Sequence, residues 1–172
     1  MDSIQKCDLP EGSLLLRYRE NGAYTDCYSV EVNREISQAE YIRAFYTTIP
    51  FKLERFILKW AVSKPSTDEE VGLLAEAKTE HFAAWYVEER QEYQILLSDY
   101  RDRTRSWLMS KPSGSEANKS TQLYFGSAVV PASANAKEKQ HKRSTFSVLL
   151  QFHKLYSRIL LSSARSQLIS KD

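Results

Sequence analysis

The spacing of hydrophobic and polar positions changes along this chain, and the changes separate extended stretches from helical ones. From Ala23 to Val32 the period is two, with Tyr24, Asp26, Tyr28, Val30 and Val32 on one side and Thr25, Cys27, Ser29 and Glu31 on the other. This predicts a strand that starts just after the Asn21-Gly22 turn signal. Arg103–Met109 alternates in the same way, setting Arg103, Arg105, Trp107 and Met109 against Thr104, Ser106 and Leu108. Thr121–Val130 places Leu123, Phe125, Ser127 and Val129 opposite Tyr124, Gly126, Ala128 and Val130. His81–Glu88 and Tyr93–Ser98 complete a strand-rich middle. Their connections are short and polar, as an antiparallel meander requires.

Elsewhere the period is helical. Phe146, Leu149, Leu150, His153, Tyr156, Leu160, Ala164 and Leu168 form one stripe, while Gln151, Lys154, Arg158, Ser162 and Arg165 lie opposite. An amphipathic helix over Phe146–Ile169 must bury that stripe, and the sheet is the obvious partner. Ser37-Gln38-Ala39-Glu40 is a capping box that opens a helix carrying Tyr41, Ile42 and Phe45. Pro50 ends that helix and starts another, with Leu53, Phe56, Ile57 and Trp60 as its stripe. The second helix stops before Lys64-Pro65, because a residue ahead of proline avoids helical geometry. Ser66-Thr67-Asp68-Glu69-Glu70 can cap a further short helix through Ala77.

The remaining segments read as connections. Residues 1–12 are polar and expected to be flexible, and Leu14-Leu15-Leu16 reads as a short strand or turn. Lys111–Ser120 reads as a hairpin tip, and residues 131–144 as a flexible link into the last helix. Gly126-Ser127 marks a bend or a close backbone approach. The predicted order is one strand, two helices, a meander of strands and a closing helix. Its class is α+β in a single domain, 1–172, with about six strands and a seventh at Leu14–Arg17 or Gly72–Ala75.

Composition narrows the classes of function. The net charge of +2 over 172 residues lacks the basic excess of a dedicated nucleic-acid binder. No apolar run approaches the ~20 residues of a membrane span, and the start has no leader pattern, so a cytoplasmic protein is expected. Cys7 and Cys27 do not make a metal spacing, nor do His81, His141 and His153. A reduced protein is the expectation, with a disulfide between the two cysteines left open. Phosphate loops, dinucleotide fingerprints and nucleophile elbows are missing, so no cofactor is expected.

Several segments carry a resemblance: Trp85-Tyr86-Val87-Glu88, Ile95-Leu96-Leu97-Ser98-Asp99, Arg103-Thr104-Arg105-Ser106-Trp107-Leu108, Leu123–Pro131 and Phe152-His153-Lys154-Leu155-Tyr156. With them the chain resembles START-like, helix-grip proteins of the SRPBCC superfamily from about Tyr24 to Leu168. Within that superfamily it is most similar to a bacterial family of unknown function. The resemblance implies a curved antiparallel sheet wrapped around the long closing helix, with two helices after the first strand. It also implies a cavity between sheet and helix, and offers no catalytic motif to carry over.

The candidate residues differ in the face each one occupies. His153 lies on the closing stripe, where it is a pocket acid or base or a hydrogen-bonded core histidine. Arg105 shares a face with Trp107, and that face is expected to turn inward, since Thr104 and Ser106 suit solvent better; Arg105 then clamps an anion or pairs with Asp99, Asp102 or Glu88. Asp26, among tyrosines, is the best candidate for a perturbed acid, and an edge position near solvent is equally compatible with its place. Tyr28, Trp85, Tyr124 and Tyr156 offer apolar bodies with polar handles, or are simply core. His81 beside Glu80 reads as surface, and the basic run Lys137–Arg143 as a solvated loop. The expected ligand set is therefore Asp26, Tyr28, Trp85, Arg105, Trp107, Tyr124, His153 and Tyr156, around a small hydrophobic or aromatic molecule. The alternatives are a cofactor-free enzyme of the polyketide cyclase or aromatase kind, and an interaction module whose cavity is filled by its own aromatics.

Overall fold

The computed structural model describes residues 3–51, 67–115, 118–130 and 142–170, with the backbone alone described over 142–155. Its strands are β1 (Gln5–Lys6), β2 (Tyr24–Val32), β3 (His81–Phe82), β4 (Trp85–Gln91), β5 (Gln94–Asp99), β6 (Thr104–Ser115) and β7 (Asn118–Val129). They form one antiparallel sheet in the order β1-β2-β7-β6-β5-β4-β3. The helices described are α1 (Leu16–Glu20), α2 (Gln38–Tyr46), α3 (Asp68–Ala75) and α4 (Lys142–Ile169).

The α+β class and the closing helix follow the expectation, and so do the capping box at Ser37 and the capped helix start within residues 66–70, which is also a full box. Ser37 accepts from the backbone of Glu40 and Thr67 from that of Glu70, with each glutamate reaching back to its cap. The helix expected after Pro50 lies outside the described residues beyond Phe51, as does the link expected at 131–144 up to residue 141.

Several expectations need correction. The extra strand is at neither Leu14–Arg17 nor Gly72–Ala75, since the first runs from a turn into α1 and the second belongs to α3. It is instead Gln5–Lys6, inside the segment expected to be flexible, which pairs with Ser29 and Tyr28. The stretch 81–88 is two strands, because Ala83 takes a φ of 53° and turns the chain so that Phe82 faces Trp85 across a tight hairpin. The expected tip at 111–120 is mostly ladder: pairing of β6 with β7 continues to Ser115 opposite Asn118.

Register sorts side chains between two faces. One row runs Tyr28, Phe125, Leu108, Ile95 across β2, β7, β6 and β5. It faces the main core, built with Tyr41, Ile42 and Phe45 of α2, Leu74 of α3, and Leu160, Leu161, Ala164 and Leu168 of α4. The neighbouring row runs Cys27, Gly126, Trp107, Leu96 and faces the opposite side. There Leu9, Leu14 and Leu15 cover it, making a second core. The sheet is thus buried on both faces, which explains why the N-terminal segment is ordered: it covers apolar surface that would otherwise meet water.

The end of α4 is tied down by polar contacts. Arg34 donates from Nη2 to the Leu168 carbonyl at 2.9 Å, a cation at the negative end of a helix. Gln167 donates from Nε2 to the Thr47 carbonyl at 3.3 Å, joining α4 to the end of α2.

Gly126 is where the second core packs most closely. A Cβ there would lie 2.9 Å from Trp107 Cε3, from Leu15 Cδ2 and from the Asp26 carbonyl. The close approach expected at this glycine is therefore present, and the backbone atom cannot rotate away. Gly126→Val should destabilise by about 1–3 kcal/mol in urea unfolding, and wild-type stability in that variant would show that Trp107 is not packed on the glycine.

Candidate functional site

A cavity of about 300 Å³ opens on the helix side of the sheet. Phe45 of α2, Phe51, Trp85 of β4, Phe125 of β7, and Tyr156 and Leu160 of α4 form its apolar walls. Thr104, Ser106 and Ser127 bring hydroxyls, and Arg105 contributes at the wall. An apolar hollow with a few placed polar groups is the usual form of a small-molecule site. A larger hollow of about 710 Å³ lies at the β6–β7 hairpin among Glu31, Asn33, Ser115, Asn118 and Lys119. Its walls lack large apolar side chains, so it has little with which to hold an organic ligand.

A polar row crosses the sheet beside the apolar cavity. Asp26 stands opposite Ser127, which stands opposite Ser106. Asp26 is 3% exposed, and its Oδ1 accepts from the Ser127 hydroxyl at 2.5 Å and the Ser127 backbone N–H at 3.2 Å. Ser106 Oγ and the Tyr46 hydroxyl are 3.2 Å apart. A buried carboxylate needs such donors to offset its desolvation. Burial and then the Asp26 charge push the phenol of Tyr24 up to about 12. Tyr28 is raised by the same two causes against the opposing charge of Arg158. Both phenols are therefore protonated at neutral pH and available as donors.

The expected site residues divide between the two faces. Trp85 and Tyr156 line the cavity, and Asp26 and Tyr28 share its side of the sheet. Trp107 and Tyr124 are on the other face, with ring centroids 6.2 Å apart. Trp107 donates from Nε1 to Gln94 Oε1 at 2.8 Å, and Gln94 in turn holds the N-terminal loop through Leu14 N–H and the Gly12 carbonyl. The expectation that Trp107 turns toward the closing helix is therefore corrected: its face is apolar because the N-terminal segment covers it. Thr104 and Ser106, expected to meet solvent, stand at the cavity instead. The side chain of His153 lies outside what is described.

Arg105 also turns its guanidinium away from the cavity. A bulge in β4 after Val87 leaves Glu88 without a partner in β5, so Glu88 and Glu89 both reach the N-terminal side. Arg105 Nε donates to Glu88 Oε2 at 2.5 Å and to the Tyr18 hydroxyl at 2.8 Å. Tyr18 donates to Glu88 Oε1 at 2.5 Å, and Arg17 donates to Glu88 and Glu89, each at 2.5 Å. The cross-strand alternative at Glu88 is thus the one observed, and Arg105 is already fully engaged.

Reading the sequence missed Phe45, Phe51, Ser106 and Ser127 as parts of the cavity. The alternation did place Ser127 with Leu123 and Phe125, and that was the available signal. His81 is exposed, as expected. Among the described residues no group of His, Cys, Asp or Glu could hold a metal ion, and no helix is long and apolar enough to cross a membrane. No family model, curated protein or solved structure matches this chain.

Burial raises the Glu88 carboxyl, but the Tyr18 hydroxyl and the Arg105 charge outweigh it and hold the group below its ordinary value. Its contribution is therefore complete above 4.5, the unperturbed value, and is lost as pH falls through the lower folded one. Glu88→Ala leaves Arg105, whose side chain is 9% exposed, without its main counter-charge. The loss should be about 2–3 kcal/mol at neutral pH and should shrink in acid. A pH-independent loss measured by urea unfolding would count against the ion pair.

Proposed function

We propose that the chain binds a small hydrophobic or aromatic molecule in the cavity between α4 and the sheet. The observation that carries this reading is the combination of aromatic walls with the inward hydroxyls of Ser106 and Ser127. Phe45, Trp85 and Phe125 suit a planar apolar body, and the Asp26–Ser127–Ser106–Tyr46 row suits one polar substituent. The START-like, helix-grip reading is part of the same proposal. It draws support from a long C-terminal helix that packs on α2, β2 and β7 and from two helices, α2 and α3, between β2 and the meander.

A second reading is a cofactor-free enzyme of the polyketide cyclase or aromatase kind. The buried Asp26–Ser127 pair favours it, since a carboxylate held at 2.5 Å from a hydroxyl beside an apolar cavity can position or exchange a proton. In that reading Asp26→Asn abolishes turnover while ligand affinity persists.

The binding proposal is tested by titrating 1-anilinonaphthalene-8-sulfonate into the protein and into Leu160→Trp. Leu160 is buried at the cavity wall, so a larger side chain there occupies the ligand's space. Saturable binding to wild type, weakened at least about tenfold in a variant that still folds by circular dichroism, is the expected result. Equal binding to both proteins would move the dye site elsewhere, and no binding to either would remove the support for an accessible cavity.

A further inference from the structure

The two cysteines belong to neither the cavity nor the ion-pair network. Register aligns them: Gln5 pairs with Ser29 and Lys6 with Tyr28, so Cys7 falls opposite Cys27. Cys7 N–H donates to the Cys27 carbonyl at 3.0 Å, and the two sulfurs are 3.2 Å apart. Directly opposed residues of this hydrogen-bonded kind have Cα atoms about 5.5 Å apart, inside the roughly 4.4–6.8 Å window that a disulfide spans. Both are free thiols, Cys7 half-buried and Cys27 only 2% exposed.

We infer that Cys7 and Cys27 are a peroxide-sensitive thiol pair whose oxidation to an intramolecular disulfide staples the N-terminal cover to β2. The roles follow from exposure: a peroxide reaches Cys7, while Cys27 waits beneath it. Cys7 is the better nucleophile as well, its thiol lowered to about 7 by its hydrogen bonds with Cys27 and Ser29, against burial and the Asp8 charge. Cys27 is raised by the same contact and by burial, and so remains a neutral donor. The charges of Asp26 and Asp8 also raise Cys27, while Tyr124 beside the pair is itself raised by burial and stays neutral.

The chemistry balances with a hydroperoxide as oxidant. The ionised sulfur of Cys7 attacks one peroxide oxygen, the O–O bond breaks, and Cys7 becomes a sulfenic acid as hydroxide or alkoxide leaves. Cys27 gives its proton to the hydroxide or alkoxide released in the first step, its sulfur attacks that of Cys7, the S–O bond breaks, and the departing hydroxide takes up the proton that Cys7 lost on ionising, leaving as water. With hydrogen peroxide the sum is two thiols oxidised to one disulfide and the peroxide reduced to two waters.

The consequence lies in what the staple holds. In the reduced state β1 is a two-residue edge strand, the end of a cover that runs over Trp107 through Leu9, Leu14 and Leu15. Short edge pairings open readily. Oxidation closes the intervening loop covalently and removes that freedom from the unfolded chain.

The test treats the full chain with stoichiometric hydrogen peroxide, alkylates remaining thiols under denaturing conditions, and weighs the intact protein. Expected is a monomer lighter by two hydrogens, with both cysteines protected, restored by dithiothreitol, and melting roughly 5–10 °C higher than the reduced form. Cys27→Ser should instead accumulate a sulfenic acid at Cys7 that dimedone traps. If that variant does not fold, peptide mapping of the oxidised wild type decides alone. Unreacted thiols, oxygen added to Cys7 with Cys27 still alkylated, or a cross-linked dimer would each overturn the pairing.

Discussion

The pairing of β6 with β7 is the constraint on which most of the molecule depends. Both strands run twelve residues, and their register passes unbroken from Thr104–Val129 to Ser115–Asn118. Because side chains alternate strictly along a strand, a slip of one residue would exchange every inward and outward position. Trp107 would leave Gly126, and Leu108 and Phe125 would leave the core under α4. One ladder therefore aligns two hydrophobic cores at once. The asymmetry between large and small residues holds it there: an indole on one strand needs the bare backbone of a glycine on the next.

From that register the chemistry of each face follows. On the helix side, the row that holds Asp26, Ser127 and Ser106 lies two residues along the strands from the row that holds Tyr28, Phe125 and Leu108. A polar row thus borders an apolar one, and the cavity opens where the helices leave it uncovered. On the far side, the β4 bulge sends two consecutive carboxylates to meet Arg17, Tyr18 and Arg105. A regular strand would have sent one of them into the core. The bulge reconciles an acidic pair with a sheet buried on both faces.

The N-terminal segment gains a purpose in this view. It is joined to the sheet by apolar contacts through Leu9, Leu14 and Leu15, by Gln94, which receives both Trp107 and the backbone of Leu14, and by the cysteine pair at its beginning. The cavity side and the cysteine side of the sheet share β2, where Asp26 and Cys27 are neighbours.

Local signals in the amino-acid sequence were enough to determine the α+β class, the capped starts of α2 and α3, the closing helix, and the alternation of β2, β6 and β7. Each depends on residues near one another in the chain: a cap and its partner three positions on, or the period of a stripe. Tertiary structure alone decided which face of the sheet meets which cover. Trp107 and Leu108 are equally apolar, and nothing local says that the first lies under residues 9–18 and the second under the helices. The same holds for Ser106, polar in sequence yet placed at a cavity by its opposite neighbours Ser127 and Leu97. The strand at Gln5–Lys6 was hidden for a related reason. Two polar residues have no periodicity of their own, and they become a strand only because β2 offers an edge and the apolar residues that follow need somewhere to be buried.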